Sequence, residues 1–143
     1  MDDTSRIRLR VRYGEADRMG IAYYANYFDW FTEGRTELLR QTGGNYRRIE
    51  DDGLLLPVVR TGARYHRPCR YDDPIDLVTT ARVSPTRLRF DYRVEMEGVL
   101  LAEGYTEHAF VRRGDMRPLN ARRAFPEIYK LLAGLPPYSP SPD

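Results

Sequence analysis

Tyr13-Gly14-Glu15-Ala16-Asp17-Arg18-Met19-Gly20-Ile21-Ala22-Tyr23-Tyr24-Ala25-Asn26-Tyr27-Phe28-Asp29-Trp30-Phe31 passes from the end of a strand, through a loop holding an acid and two glycines, straight into a helix crowded with aromatic side chains. Asn26 offers an N-cap oxygen, and Asp29, three residues on, stands in the place of a capping-box acid, so the helix is expected to open at or slightly before Asn26. Beyond it Tyr27, Phe31, Gly34 and Leu38 share one stripe at helical spacing, joined by Phe28, Trp30 and Leu39, and Gly43-Gly44 supplies a stop. A glycine inside a helix costs about 1 kcal/mol against alanine. On the apolar stripe, Gly34 makes sense if the helix backbone must approach a sheet closely. The aromatics at 27, 28, 30 and 31 cover more than half the circumference, which requires a helix enclosed on several sides, as by a curved sheet.

Working outward, Arg6 to Tyr13 alternates four arginines against Ile7, Leu9, Val11 and Tyr13, the pattern of a half-buried strand with one wet face. From Pro57 onward the period is again two. Val59, Thr61, Ala63 and Tyr65 form one face of a strand. Tyr71-Asp72-Asp73-Pro74 makes a turn, and Ile75, Leu77, Thr79, Ala81 and Val83 follow. After Ser84-Pro85-Thr86-Arg87, the residues Leu88, Phe90, Tyr92, Val94 and Met96 alternate with Arg89, Asp91, Arg93 and Glu95. Glu97-Gly98 closes a hairpin onto a long strand from Val99 to Arg112, both of whose faces are mixed. Four strands joined by short turns are expected to be antiparallel neighbours in sequence order. Pro118 ends the sheet region, and a short helix follows with Pro126 in its first turn, Ile128, Leu131 and Leu132 on one side and Gly134 at its end. The expected organisation is one α+β domain over 1–134, a five-stranded antiparallel sheet wrapped around a long central helix, and a proline-rich tail over 135–143 that is expected to be disordered.

Bulk properties exclude several functions. At 143 residues one domain is the default, and the longest nearly apolar run, Leu54 to Val59, is far short of the ~20 residues of a membrane span. Cys69 is the single cysteine and cannot form an internal disulfide. The first residues lack the apolar core of a signal peptide, so a cytoplasmic protein is expected. Lys130 is the only lysine among 23 basic residues. Arginine's planar fork suits phosphate, but the basic residues alternate with acids and form no nucleic-acid footprint. His66 and His108 have no metal-ligand spacing with Cys69, and no metal is expected.

The opening stretch also carries chemistry. A carboxylate just ahead of a helix start suits acyl transfer, because the helix offers unpaired N–H groups and positive dipole to a carbonyl oxygen gaining charge. The run Tyr13 to Tyr27, with Asp-x-x-Gly-x-x-x-Tyr-x-Asn-Tyr from Asp17 to Tyr27, resembles the signature of the hotdog-fold acyl-CoA thioesterases of the 4-hydroxybenzoyl-CoA thioesterase family. Arg67-Pro68-Cys69-Arg70-Tyr71-Asp72-Asp73-Pro74 resembles that family's second recurring segment, and the likeness runs from about Arg6 to Arg113.

The resemblance implies a single hotdog domain that hydrolyses acyl-CoA to a free acid and coenzyme A without metal or redox cofactor. It implies Asp17 as nucleophile or general base and the backbone N–H of Tyr24 as oxyanion donor. Gly20 would let the loop backbone pass close to the acyl group, and Asn26 of the same motif is expected to border the substrate. Arg87 and Arg89, around a turn, are candidates for the coenzyme's phosphates, although the family's basic cluster appears here as Ser84-Pro85-Thr86-Arg87. Glu33, on the helix, is the rival carboxylate. A homodimer or homotetramer is implied, with active sites at subunit interfaces. Two further readings keep the fold: hydrolysis of acyl groups held by an acyl carrier protein, and non-catalytic acyl-CoA binding.

Overall fold

In the computed structural model, which describes residues 4–43 and 46–140, the arginine alternation at the start builds β1 (Thr4–Arg10). Arg6, Arg8 and Arg10 face water, Ile7 and Leu9 lean on the core, and Arg8 reaches Asp76 across the strand pair at 3.0 Å. A short turn of helix over Tyr13–Glu15 leads into the loop, and α1 (Asn26–Gln41) follows. The chain continues through α2 (Tyr46–Asp51), which the sequence reading did not anticipate, and β2 (Leu54–Leu55). Then come β3 (Val58–Tyr65), β4 (Pro74–Val83), β5 (Arg87–Met96) and β6 (Val99–Ala109). Beyond them lie β7 (Val111–Arg112), α3 (Ala121–Ala124) and α4 (Pro126–Leu132). The long strand expected over Val99 to Arg112 thus breaks at Phe110, and β7 pairs with β2 as a separate two-stranded ribbon.

Five strands make one antiparallel sheet in the order β1-β4-β5-β6-β3. The hairpins β4-β5 and β5-β6 are as expected, but β3 is not the neighbour of β4. It pairs with β6 at the opposite edge, Thr61 facing Thr106. The cause is the connection 66–73, which crosses beneath the loop ahead of α1 instead of turning back. Ala22 N–H donates to the Cys69 carbonyl at 2.8 Å, and Asp72 N–H to that of Val11 at 2.8 Å. The segment is therefore committed to the loop and leaves β1 free to flank β4.

α1 lies on the inner face of the sheet. Its buried residues are Tyr27, Trp30, Phe31, Gly34, Leu38 and Leu39, the anticipated stripe apart from Phe28, which is only partly covered. The inward face of β5, Leu88, Phe90, Tyr92 and Val94, is fully enclosed, and the ring of Phe31 stacks on Tyr92 with centroids 4.3 Å apart. At Gly34 the close approach is real: a Cβ there would stand 2.3 Å from Thr79 Oγ1 and 2.8 Å from Leu77 Cδ2. Asn26 is the first helical residue rather than the cap. Ala25 holds the cap position, and the Asn26 side chain is occupied elsewhere. Gly44 lies outside the described residues.

The tail, expected to be disordered, is ordered over its described residues. Residues 135–140 lie against the sheet: Val83 N–H donates to the Pro136 carbonyl and Tyr138 N–H to the Val83 carbonyl, each at 2.9 Å. Leu135 is buried, and Tyr138, 8% exposed, gives its hydroxyl to the buried carboxyl of Glu107 beneath the Arg82 guanidinium. Proline forbids donation but not acceptance, so the tail can pair along one side. Residues 141–143 lie outside the described set. Among the described residues no helix is long and apolar enough to cross a membrane.

Candidate active site

The loop between β1 and α1 folds as a small hairpin. Ala16 pairs with Ala22, Asp17 N–H donates to the Ile21 carbonyl at 2.9 Å, and Gly20 N–H closes the turn onto the Asp17 carbonyl at 3.0 Å. Gly20 has φ +79°, a conformation that a side chain would strain. One oxygen of Asp17, Oδ1, accepts the Met19 N–H at 2.8 Å. The other accepts no hydrogen bond from the described residues. The carboxylate is thereby fixed by one oxygen and left open at the other.

Six residues on, the chain prepares the helix start. Tyr23 N–H donates to the Glu15 carbonyl at 2.8 Å, and Asn26 N–H to the Tyr23 carbonyl at 3.0 Å. The Tyr24 carbonyl accepts the Tyr27 N–H at 3.3 Å and the Tyr65 hydroxyl at 3.2 Å. These bonds hold the peptides on both sides of Tyr24, while no described residue accepts the Tyr24 N–H itself. That donor lies one residue ahead of the cap Ala25, and it is the kind of group an oxyanion needs.

Asp17 and Tyr24 line one open cavity of about 380 Å3 together with Met19, Ile21, Tyr27 and Tyr65. Its far wall is the chain leaving β3, including Arg67 and His66, whose Nε2 lies 3.2 Å from Glu103. Arg67 is exposed and has no ion-pair partner among the described residues. The rings of Tyr27 and Tyr65 meet edge-on, with centroids 4.9 Å apart. Tyr27 also brings its hydroxyl within 3.5 Å of the Cys69 sulfur. Burial, the largest cause, raises both groups above their ordinary pKa values, so at neutral pH both are protonated and neither is a ready nucleophile.

The other sequence candidates lie elsewhere. Asn26 donates its side-chain amide to the Glu15 carbonyl at 2.8 Å, so it braces the loop and is not among the residues lining the cavity. Arg89 sits in a separate concavity of about 590 Å3 on the outer face of the sheet. It is held 3.1 Å from Asp91 and 4.2 Å from the centre of the Tyr105 ring. Arg87 donates to the Thr86 carbonyl at 3.0 Å beside Pro118 and Asn120. Within one chain neither arginine is brought to Asp17. Glu33 is exposed and borders a groove with Ile7 and Leu9 on the β1 side of the helix. Among the described residues no three His, Cys, Asp or Glu side chains gather as a metal site.

Sequence reasoning missed Glu15 and Tyr65. Glu15 is 6% exposed, with Oε1 accepting the Arg12 N–H at 2.7 Å and Oε2 the Trp30 indole N–H at 2.9 Å. Burial alone would raise its pKa, but those hydrogen bonds and the Arg12 guanidinium outweigh it and hold the carboxyl below its ordinary value. An acid two residues before Asp17, followed by a tryptophan one turn into the helix, was the available signal.

A five-stranded antiparallel sheet wrapped on one long helix is the architecture of the hotdog thioesterases. The chain belongs to the Thioesterase-like superfamily, whose family model matches residues 11–131. It is similar to YneP of Bacillus subtilis, by its name a candidate acyl-CoA thioesterase, with 32% identity over 125 residues that cover 86% of this chain and 91% of that one. It is 30% identical over 97 residues to the acyl-CoA thioester hydrolase YbgC of Escherichia coli, covering 66% of this chain and 72% of the relative. Among solved structures, the DHNA-CoA thioesterase of Staphylococcus aureus superposes with a TM-score of 0.86 at 26% identity. That match covers 91% of this chain and 89% of the other.

Proposed function

We propose that this protein, an acyl-CoA thioesterase, hydrolyses its substrate through Asp17 and the Tyr24 N–H and needs no metal. The observation that carries the reading is the pairing, in one cavity, of a carboxylate with one free oxygen and a backbone donor that the fold leaves unspent. The substrate carbonyl oxygen accepts from the Tyr24 N–H, and its carbon faces Asp17. In the general-base form Asp17 takes a proton from water, the water oxygen bonds to the carbonyl carbon, and negative charge gathers on the oxygen held by Tyr24. The C–S bond then breaks, the electron pair leaves with sulfur, and the proton passes to it to give the free thiol. In the nucleophilic form the Asp17 carboxylate bonds to the carbonyl carbon, the C–S bond breaks and the thiolate leaves. Water then cleaves the mixed anhydride to the free acid and the regenerated Asp17 carboxylate, giving up the proton that the thiolate takes. One preorganised oxyanion donor is worth ~3 kcal/mol in either case.

Arg67 is the arginine best placed to meet a phosphate or carboxylate of the substrate, since it lines the same cavity and has no ion-pair partner among the described residues. A second copy of the chain along β3 would complete the site. That edge strand exposes Val58, Val59 and Tyr65, no strand among the described residues pairs with its outer side, and Tyr65 is itself a wall of the cavity. A cytoplasmic setting fits the buried free thiol of Cys69.

The test is thiol release from a panel of aliphatic and aromatic acyl-CoAs, and from the same acyl groups on carrier protein. Asp17→Asn is expected to lower kcat by ~10²–10⁴-fold, the range of a lost general base. Wild-type turnover in that variant would overturn the role given to Asp17. Saturable binding with no thiol release from any donor would mark a binding protein instead.

A further inference from the structure

Glu15 is a buried acid for which the hydrolysis has no chemical use, yet it touches both halves of the machinery. Its side chain accepts from Arg12 N–H at 2.7 Å, at the end of the first strand, and from Trp30 Nε1 at 2.9 Å, inside α1. Its own carbonyl accepts from Tyr23 N–H and from Asn26 Nδ2, both at 2.8 Å. Asn26 and Trp30 stand on successive turns of the helix, so this one residue grips α1 at two levels and the incoming chain at a third. Asp17 follows it by two residues, and Tyr24 lies between the two donors its carbonyl holds.

We propose that Glu15 is the positioning residue of this enzyme, setting the separation and angle between the Asp17 carboxylate and the Tyr24 N–H. The inference rests on the reading of those two groups as the reacting pair. A cavity side chain can be replaced with local effect, whereas a clamp of this kind acts on the geometry of attack. A displacement of ~1 Å at the reacting atoms is enough to cost ~10²-fold in rate. The carboxylate is required because it faces two N–H donors with two acceptor oxygens. A glutamine keeps the shape but turns an NH2 toward one of them.

The expected result for Glu15→Gln is a kcat lowered ~10-fold or more, with KM within about twofold of wild type, because binding surfaces are untouched while the attack geometry loosens. The loss should be the same across pH 6–9; a titrating limb that disappears would mean that Glu15 itself moves a proton, and would overturn a positioning role. Trp30→Phe removes one donor from the helix side and should lower kcat at unchanged KM. The double variant should then be no worse than Glu15→Gln alone, as coupling through one contact requires. If Glu15→Gln fails to fold, Trp30→Phe reads the same bond, and a wild-type kcat in it overturns the proposal. Asp17→Asn is assayed alongside. Full activity there sinks the underlying site, whereas an inactive Asp17→Asn with a fully active Glu15→Gln or Trp30→Phe sinks only the clamp.

Discussion

Nδ1 of His108 stands 2.8 Å from the carbonyl oxygen of Leu56. A carbonyl only accepts, so Nδ1 carries the proton and Nε2, 2.9 Å from Thr106 Oγ1, accepts from that hydroxyl. Thr106 in turn accepts from Tyr92 at 2.6 Å, and Tyr92 from Arg35 at 3.5 Å. The imidazole is 1% exposed and packs edge-on to Phe90. Burial pushes its pKa down from 6.5 to about 4, against the pull of the Leu56 carbonyl and with the help of the Arg35 guanidinium. The folded chain therefore binds fewer protons here than the unfolded one between those values. The stabilisation is complete above pH 6.5 and is lost as pH falls toward 4, on the order of 3 kcal/mol across the window. Urea unfolding at pH 7.5, 6 and 5 should show the decline, and His108→Gln should flatten that part of it.

Gly34→Ala should destabilise the fold even though alanine is the better helix former. The propensity gain is about 1 kcal/mol, while the new methyl would run into the Thr79 and Leu77 side chains, buried in the core, so that they or the helix must shift. Overpacking of this kind costs ~1–3 kcal/mol or more. A lower urea midpoint at unchanged slope is the expected result, and a raised midpoint would show that the helix has room to move.

Tyr24→Pro deletes an N–H that no described residue uses, whereas Tyr24→Phe keeps it. The expected pattern is near-wild-type kcat for phenylalanine and a fall of ~10²-fold for proline, with circular dichroism unchanged in both. A fully active, folded Tyr24→Pro would remove this amide from the mechanism.

Tyr138→Phe leaves the carboxyl of Glu107, 4% exposed, without the hydroxyl that satisfies it. Such an orphaned acceptor costs ~1–3 kcal/mol. Thermal unfolding should show a loss of that size with thioesterase activity retained, because the tail shares no residue with the Asp17 cavity.

Arg67→Ala should raise KM for acyl-CoA several-fold and leave kcat near wild type, the mark of an arginine that binds a remote part of the substrate. An unchanged KM would move the phosphate contact to another arginine.

The two periodicities carried most of the fold. Leu88 to Met96 could only be a strand buried on one side, and Tyr27 to Leu38 only a helix seated along one stripe. What local pattern could not carry was the sheet order. The chain after Tyr65 was free to turn back or cross over, and the bonds that decide it, Ala22 to Cys69 and Asp72 to Val11, join backbone atoms that every sequence possesses. The start of α1 misled for a related reason: Asn26 has a capping side chain but spends it backward on Glu15. In the tail, the prolines argued for disorder, and the buried partner that Tyr138 finds in Glu107 exists only once the sheet has formed. At the site, the residues of the motif were legible. Tyr65 was not, because its place beside Tyr24 arises only once β3 takes the far edge.

At residue 34 a side chain would run into Thr79 and Leu77, so the long helix is held against the sheet at its middle. Its first residue, Asn26, eight residues and about 12 Å away at helical rise, inherits that setting. The width of the substrate mouth is thus calibrated from the middle of the protein. Engineering of acyl range should keep this fulcrum fixed and vary the rim at 65–68, where side chains can change without resetting the gauge.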